Sequence, residues 1–223
     1  MRSKKRFWIL IVLAILFSGV PSASFSGVLD VAVMDEKGGA VKDAVVYAVI
    51  RDDAASRVSH DGKAVIDQVD KEFIPYVMPL KVGTAVYFPN HDQIRHHVYS
   101  FSDIKKFEIP LYIGTPANPV VFDKPGVVVL GCNIHDWMSA YVYILETPFY
   151  SVTGADGKAK IENLPSGEYD IQIWHPGIKA KPQSIKRQIT AAGESPEAVI
   201  FKINQVKILR QWRAPTSSIG GYR

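Results

Sequence analysis

Short runs of β-branched and aromatic residues recur along this chain, each closed within a few positions by glycine, proline, asparagine or aspartate. They fall at residues 28–33, 44–50, 85–88, 97–101, 127–130, 140–145, 169–174 and 198–203. The breaks between them carry Gly38-Gly39, Asp61-Gly62, Pro89-Asn90, Pro125-Gly126, Asp156-Gly157 and Pro165-Ser166-Gly167. These are residues that reach positive φ or preset a turn. Beyond residue 24 no window of helical length shows a 3.6-residue apolar period. Strands this short and this regularly punctuated predict an all-β protein built of β-sandwiches.

Charge and composition narrow the function classes. The 223 residues include 26 Lys and Arg against 22 Asp and Glu, a formal net charge of +4. Four of the positives, Arg2, Lys4, Lys5 and Arg6, precede an apolar run at 7–20, which Pro21, Ser22, Ala23 and Ser24 follow. A basic start, a short apolar stretch and a small-residue exit predict an export signal cleaved near Ser24, with Ser22 or Ser26 as alternatives. The run is shorter than the ~20 residues a membrane-spanning helix requires. The mature protein is therefore expected in the periplasm and not as an integral membrane protein. Removing residues 1–24 leaves 22 charges of each sign, with 13 basic and 20 acidic residues in 25–170 and 9 and 2 in 171–223. An acidic body of this kind repels phosphate, so no nucleic-acid partner is expected. The single cysteine excludes an internal disulfide and a Cys-rich zinc site.

The mature length suits one large or two small domains. Residues 27–50 read as strand, glycine turn and strand, and residues 151–177 as turn, strand, an Asn163-Leu164-Pro165 corner running to Tyr169, and a further strand. Together they resemble the two halves of a small transthyretin-like sandwich of the carboxypeptidase-regulatory type. In that family the halves follow one another closely, whereas roughly a hundred residues separate them here. The expectation is a middle sandwich inserted in the outer one, or followed by it. The boundaries are 25–55 for the first outer strands, 62–148 for the middle domain, 149–206 for the rest of the outer sandwich and 207–223 for a basic tail. The alternative is that the first two strands simply begin the middle domain.

Residues 131–138 read Gly-Cys-Asn-Ile-His-Asp-Trp-Met, so Cys132, His135 and Met138 recur at intervals of three in one short loop between two apolar runs. A thiolate, an imidazole and a thioether together suit copper. Zinc would call for a second cysteine or an open water position. A His₂Cys site with a weak axial methionine needs one more histidine, and residues 88–101 supply the adjacent pair His96 and His97. With Phe73, Pro75, Gly83, Val86, Phe88 and Asn90 ahead of that pair, and Gly126 six residues before Cys132, residues 73–144 resemble the cupredoxins. The likeness is strongest to the plastocyanin and amicyanin branch of blue copper proteins, which takes in proteins of the methylamine utilization type. It implies a Greek-key β-sandwich holding one mononuclear copper through His96, Cys132, His135 and Met138. In such families the turn asparagine precedes the upstream ligand by six positions, and Asn90 plus six is His96. His97 then stands where an asparagine often follows the ligand. Successive strand residues face opposite ways, so the two histidines cannot both reach one metal without distortion. His97, Asn90 and Trp137 remain as alternative ligands or supports, Trp137 as a shield over the metal. Asp136 departs from the proline common after the ligand histidine in amicyanin-like loops.

His60 and His91 read as turn residues, His175 as a strand cap, and Met34 and Met78 as core or edge residues. The resemblance implies an exported carrier of single electrons and not an enzyme. Its expected partner is a redox protein such as a dehydrogenase or cytochrome. No second cysteine is present for a dinuclear copper centre, and no His-x-His pair of the multicopper oxidase kind occurs. A copper storage or delivery protein is the alternative, and an exported binding or scaffold module the second.

Overall fold

A computed structural model describes residues 27–50, 62–178, 183–189 and 198–204. The expected export signal of residues 1–24, His60 and the expected basic tail from 207 lie outside the described residues. The fold is all-β: strands joined by turns, with no helix among the described residues. In chain order the strands are β1 (Gly27–Asp35), β2 (Val45–Ile50), β3 (Lys63–Val65), β4 (Asp67–Val69), β5 (Glu72–Ile74) and β6 (Val77–Lys81). Then come β7 (Thr84–Tyr87), β8 (His96–Ser102), β9 (Lys105–Tyr112), β10 (Val120–Phe122), β11 (Gly126–Gly131) and β12 (Ser139–Leu145). The last are β13 (Tyr150–Val152), β14 (Lys158–Leu164), β15 (Gly167–Trp174), β16 (Gln183–Ile189) and β17 (Val199–Ile203). Each of the eight apolar runs in the sequence coincides with a strand.

Pairing sorts these strands into two groups. Sheet β14-β1-β17 faces sheet β13-β2-β15-β16 across a core that includes Leu29, Val31, Ala48, Ile171 and Phe201. Sheet β10-β7-β3 faces the five-stranded sheet β6-β12-β11-β8-β9 across a second core with Phe73, Phe88, Val98, Phe122 and Leu130. Strands β1 and β2 pair with β13, β14, β15 and β17, so the chain leaves the first group after β2 and rejoins it at β13. The Asn163-Leu164-Pro165 corner is closed by Tyr169, whose hydroxyl donates to the Pro165 carbonyl (2.9 Å) while Asn163 takes φ of 60°. A buried tyrosine hydroxyl needs such an acceptor.

Two strands are apolar on both faces, and they meet. Val46 and Ala48 of β2 point into the first core while Val45 and Tyr47 point the other way. Ala140, Val142 and Ile144 of β12 point into the second core while Tyr141, Tyr143 and Leu145 point outward. The outward faces form a third apolar cluster, joined by Val77 and Trp174, that packs one sandwich on the other. Within it the Tyr47 hydroxyl lies 3.0 Å from that of Tyr143 and donates to Gln172 Oε1 (2.8 Å). A strand buried on both faces reads as a continuous apolar run instead of an alternating one. That explains why 44–50 and 140–145 stand out in the sequence.

Candidate metal centre

Three strand ends of the five-stranded sheet carry the site. Cys132 follows the last residue of β11, and Met138 precedes the first residue of β12. The pairing of Gly131 with Ser139 closes the loop between them. Inside that loop the Met138 N–H donates to the His135 carbonyl (2.9 Å), making a tight turn that begins at His135. His96 begins β8, which lies beside β11 through the pairing of Tyr99 with Gly131. Rigid strands thus position three of the four side chains, and only His135 sits on the turn itself.

The donor atoms of His96, Cys132 and His135 all lie within 4.8 Å of one another. Cys132 Sγ is 3.8 Å from His135 Nδ1, and the two imidazole centroids are 4.9 Å apart. Among the described residues this is the one His, Cys, Asp and Glu group with the geometry to hold a metal ion. Met138 is buried in the same core cluster as Cys132. Both sulfur side chains line a groove of about 560 Å³ bounded by Tyr99, Phe101 and Gly131.

The two ring nitrogens of His96 have different environments. Nε2–H donates to Asp92 Oδ2 at 2.6 Å, whereas Nδ1 is buried with no hydrogen-bond partner. A fully buried polar atom without a partner is costly unless something occupies the space it faces. A soft metal bound between Nδ1 of His96, Nδ1 of His135 and the Cys132 thiolate would satisfy it, and this donor set fits copper. Burial, followed by the charges of His96 and Lys71, lowers the pKa of His135, which favours the neutral imidazole a metal requires.

The neighbouring residues take other places. His97 faces away from this group and pairs through Nε2 with Glu108 (2.9 Å), its ring against Tyr99. Asn90 frames the loop before His96: its amide donates to the Ile94 and Tyr112 carbonyls, and its Oδ1 accepts the Asp92 N–H (3.0 Å). The Trp137 ring lies 5.2 Å from that of His135, and Asp136 is exposed beside it. His91 is exposed in the turn after Pro89 and bonded to Asp67, and His175 is buried just beyond β15. Met34 and Met78 are both half-buried.

Asp92 and Glu108, the carboxylate partners of the two histidines, were not legible as such in the sequence. For Asp92 a signal existed, an acidic residue four positions ahead of His96 within one short loop. Glu108 comes from the next strand and left no local trace.

No protein-family model matches this sequence, and no curated protein does. Among solved structures, the chain is similar to a Cu-containing nitrite reductase from Thermus scotoductus SA-01, at 26% identity and a TM-score of 0.35. That likeness covers 37% of this chain and 22% of the reductase, about a fifth of its length. It is also similar to a purple cupredoxin from Nitrosopumilus maritimus, at 23% identity over 38% of this chain and 100% of that one, with a TM-score of 0.33. A reduced Cu(I) form of an amicyanin variant at pH 4 matches at 21% identity over 44% of this chain and 99% of that one, with a TM-score of 0.35.

Proposed function

We propose that residues 62–148 form a cupredoxin-like domain, inserted in the outer sandwich, that binds one copper ion through His96, Cys132, His135 and Met138. The protein then serves as an exported one-electron carrier, not an enzyme. The observation that carries this reading is the convergence of His96, Cys132 and His135, whose donor atoms all lie within 4.8 Å of one another while Nδ1 of His96 has no hydrogen-bond partner. Copper in such a His₂Cys-Met set supplies reversible one-electron chemistry with little change of geometry.

The chain's own residues supply the rest. The strand ends hold Cys132, Met138 and His96 in place, and Asp92 orients His96. The core closes off the buried side of the site. His135, half-exposed on its turn, is the edge nearest solvent and the natural contact for a redox partner such as a dehydrogenase or cytochrome. The basic start and apolar run of residues 1–20 support export to the periplasm. No described helix is long and apolar enough to cross a membrane.

The test is the visible spectrum of the protein with one equivalent of Cu(II). An intense blue band that vanishes in Cys132→Ser is the expected result. A colourless complex of undiminished affinity would defeat the electron-carrier reading and favour copper storage or delivery. No copper binding at all would leave a binding or scaffold module.

A further inference from the structure

The carboxylate beside His96 is held in a cradle that the ligand loops do not provide. Strands β4 and β5 are joined by a two-residue turn, Asp70-Lys71, in which both residues take positive φ (53° and 60°). Two positive φ values in succession are the geometry of a type I′ turn, here adopted without a glycine. It turns both backbone N–H groups outward to one anion: Asp70 N–H donates to Asp92 Oδ1 (2.7 Å) and Lys71 N–H to Asp92 Oδ2 (2.8 Å). Successive amides arranged in this way form an anion-binding nest. The remaining strong donor to the carboxylate is Nε2–H of His96. The carboxylate is thus fixed against Nε2 of the imidazole, leaving Nδ1 without a hydrogen-bond partner.

We propose that Asp92, gripped by the Asp70-Lys71 nest, is a positioning residue that sets the tautomer of His96 and biases the centre toward Cu(II). The inference rests on the copper reading of the site. By holding the proton on Nε2, Asp92 leaves Nδ1 as the only lone pair available for a metal. By placing negative charge on the far nitrogen it makes the ring a stronger donor, which favours the more highly charged copper ion and lowers the reduction potential. His97 has a similar carboxylate partner in Glu108, but that partner is largely exposed and its imidazole faces away from the site. Removing Glu108 therefore controls for the mere loss of a negative charge.

The experiment compares the wild-type protein with Asp92→Asn and Glu108→Gln. In the metal-free state, long-range nitrogen–proton correlation at fixed pH reads the His96 tautomer. In the copper-loaded state, spectroelectrochemistry reads the potential. Wild type should show His96 as the Nε2–H tautomer, and Asp92→Asn should lose that dominance. Its blue band should remain, with the Cu(II)-to-Cu(I) affinity ratio falling at least tenfold, a rise of about 59 mV for one electron. Asp92→Glu should recover most of the shift, and Glu108→Gln should change the ratio less than twofold. Asp92→Ser takes the place of Asp92→Asn if the latter does not fold. An unchanged tautomer, a ratio within twofold of wild type, or an equal shift in Glu108→Gln overturns the proposal. If wild type fails to turn blue the copper reading falls instead, and the metal-free tautomer still decides whether Asp92 governs His96.

Discussion

His96 and His97 are adjacent in sequence and serve opposite sides of one strand: Nε2 of His96 meets Asp92 at 2.6 Å, and Nε2 of His97 meets Glu108 at 2.9 Å. Only His96 shares a group with Cys132 and His135. His96→Ala should therefore abolish the blue absorption of the copper-loaded protein. His97→Ala should leave the band in place, displaced at most by altered packing under Tyr99. The visible spectra of the two variants decide, and loss of colour in His97→Ala alone would reverse the ligand assignment.

Gly157 sits at φ +72°, and a Cβ there would lie 2.5 Å from the Val33 carbonyl oxygen and 3.0 Å from the Val41 nitrogen. Both neighbours are backbone atoms and cannot swing aside. Gly157→Ala should cost about 2–4 kcal/mol from combined strain and overpacking. Because the strain falls on the first core, copper binding at room temperature should persist while the urea midpoint drops. A cost below ~0.5 kcal/mol, the usual range for a surface substitution, would contradict the steric account.

The joint between the sandwiches is testable through Tyr47 and Tyr143. Burial, then the hydrogen bond and charge of Tyr143, raise the pKa of Tyr47, so its hydroxyl stays protonated at neutral pH. Tyr47→Phe removes the donor to Gln172 Oε1 and should cost about 1 kcal/mol. Tyr143→Phe in the Tyr47→Phe background should cost less than on its own, with a coupling of at least ~0.5 kcal/mol in a double-mutant cycle. Strict additivity would mean the two hydroxyls do not interact.

An excised fragment of residues 62–148 should fold and take up copper, because the core from Ile66 to Ile144 closes within it. It should also self-associate, since Val77, Tyr141, Tyr143 and Leu145 lose their cover. Circular dichroism, absorption and sedimentation read the three properties. An unfolded fragment would show that the middle sandwich depends on the outer one.

His175 supplies a pH dependence whose sign is determined by its burial. Desolvation comes first among its influences and lowers its folded pKa below 6.5, outweighing a hydrogen bond with the Lys42 backbone and the charge of Asp43. Its Nδ1 accepts the Gly177 N–H (3.1 Å), a role open only to the neutral ring. The unfolded chain therefore takes up a proton that the folded one refuses. Its contribution is full above about pH 6.5 and is lost as pH falls from there through the folded pKa. Urea titrations at pH 7.5 and 5 should show a smaller loss in His175→Gln than in wild type. Equal losses would remove His175 from the account.

Much of this protein is written in short stretches of its sequence. The all-β class follows from eight apolar runs and their turn residues, and the loop spacing of Cys132, His135 and Met138 lies within seven positions. The corner at Asn163–Tyr169 is equally local. The strands that escaped notice have physical reasons for doing so. Strands β4 and β5 are three residues each, and β6 and β9 contain Pro79 and Pro110, which suit the sheet-edge positions both occupy. Strand β9 opens on two lysines, a common guard on an exposed edge.

What the tertiary structure alone decided is which distant groups meet. His96 and Cys132 are 36 positions apart, and their approach depends on the register that sets Tyr99 opposite Gly131. Which of His96 and His97 stands beside Cys132 and His135, the carboxylates that answer each, and the nest behind Asp92 all follow from that register and from the β4–β5 turn. Side-chain periodicity states only that neighbours on a strand face apart. Which face meets the thiol is a property of sheet packing, where contacts remote in the chain outweigh anything a local window contains.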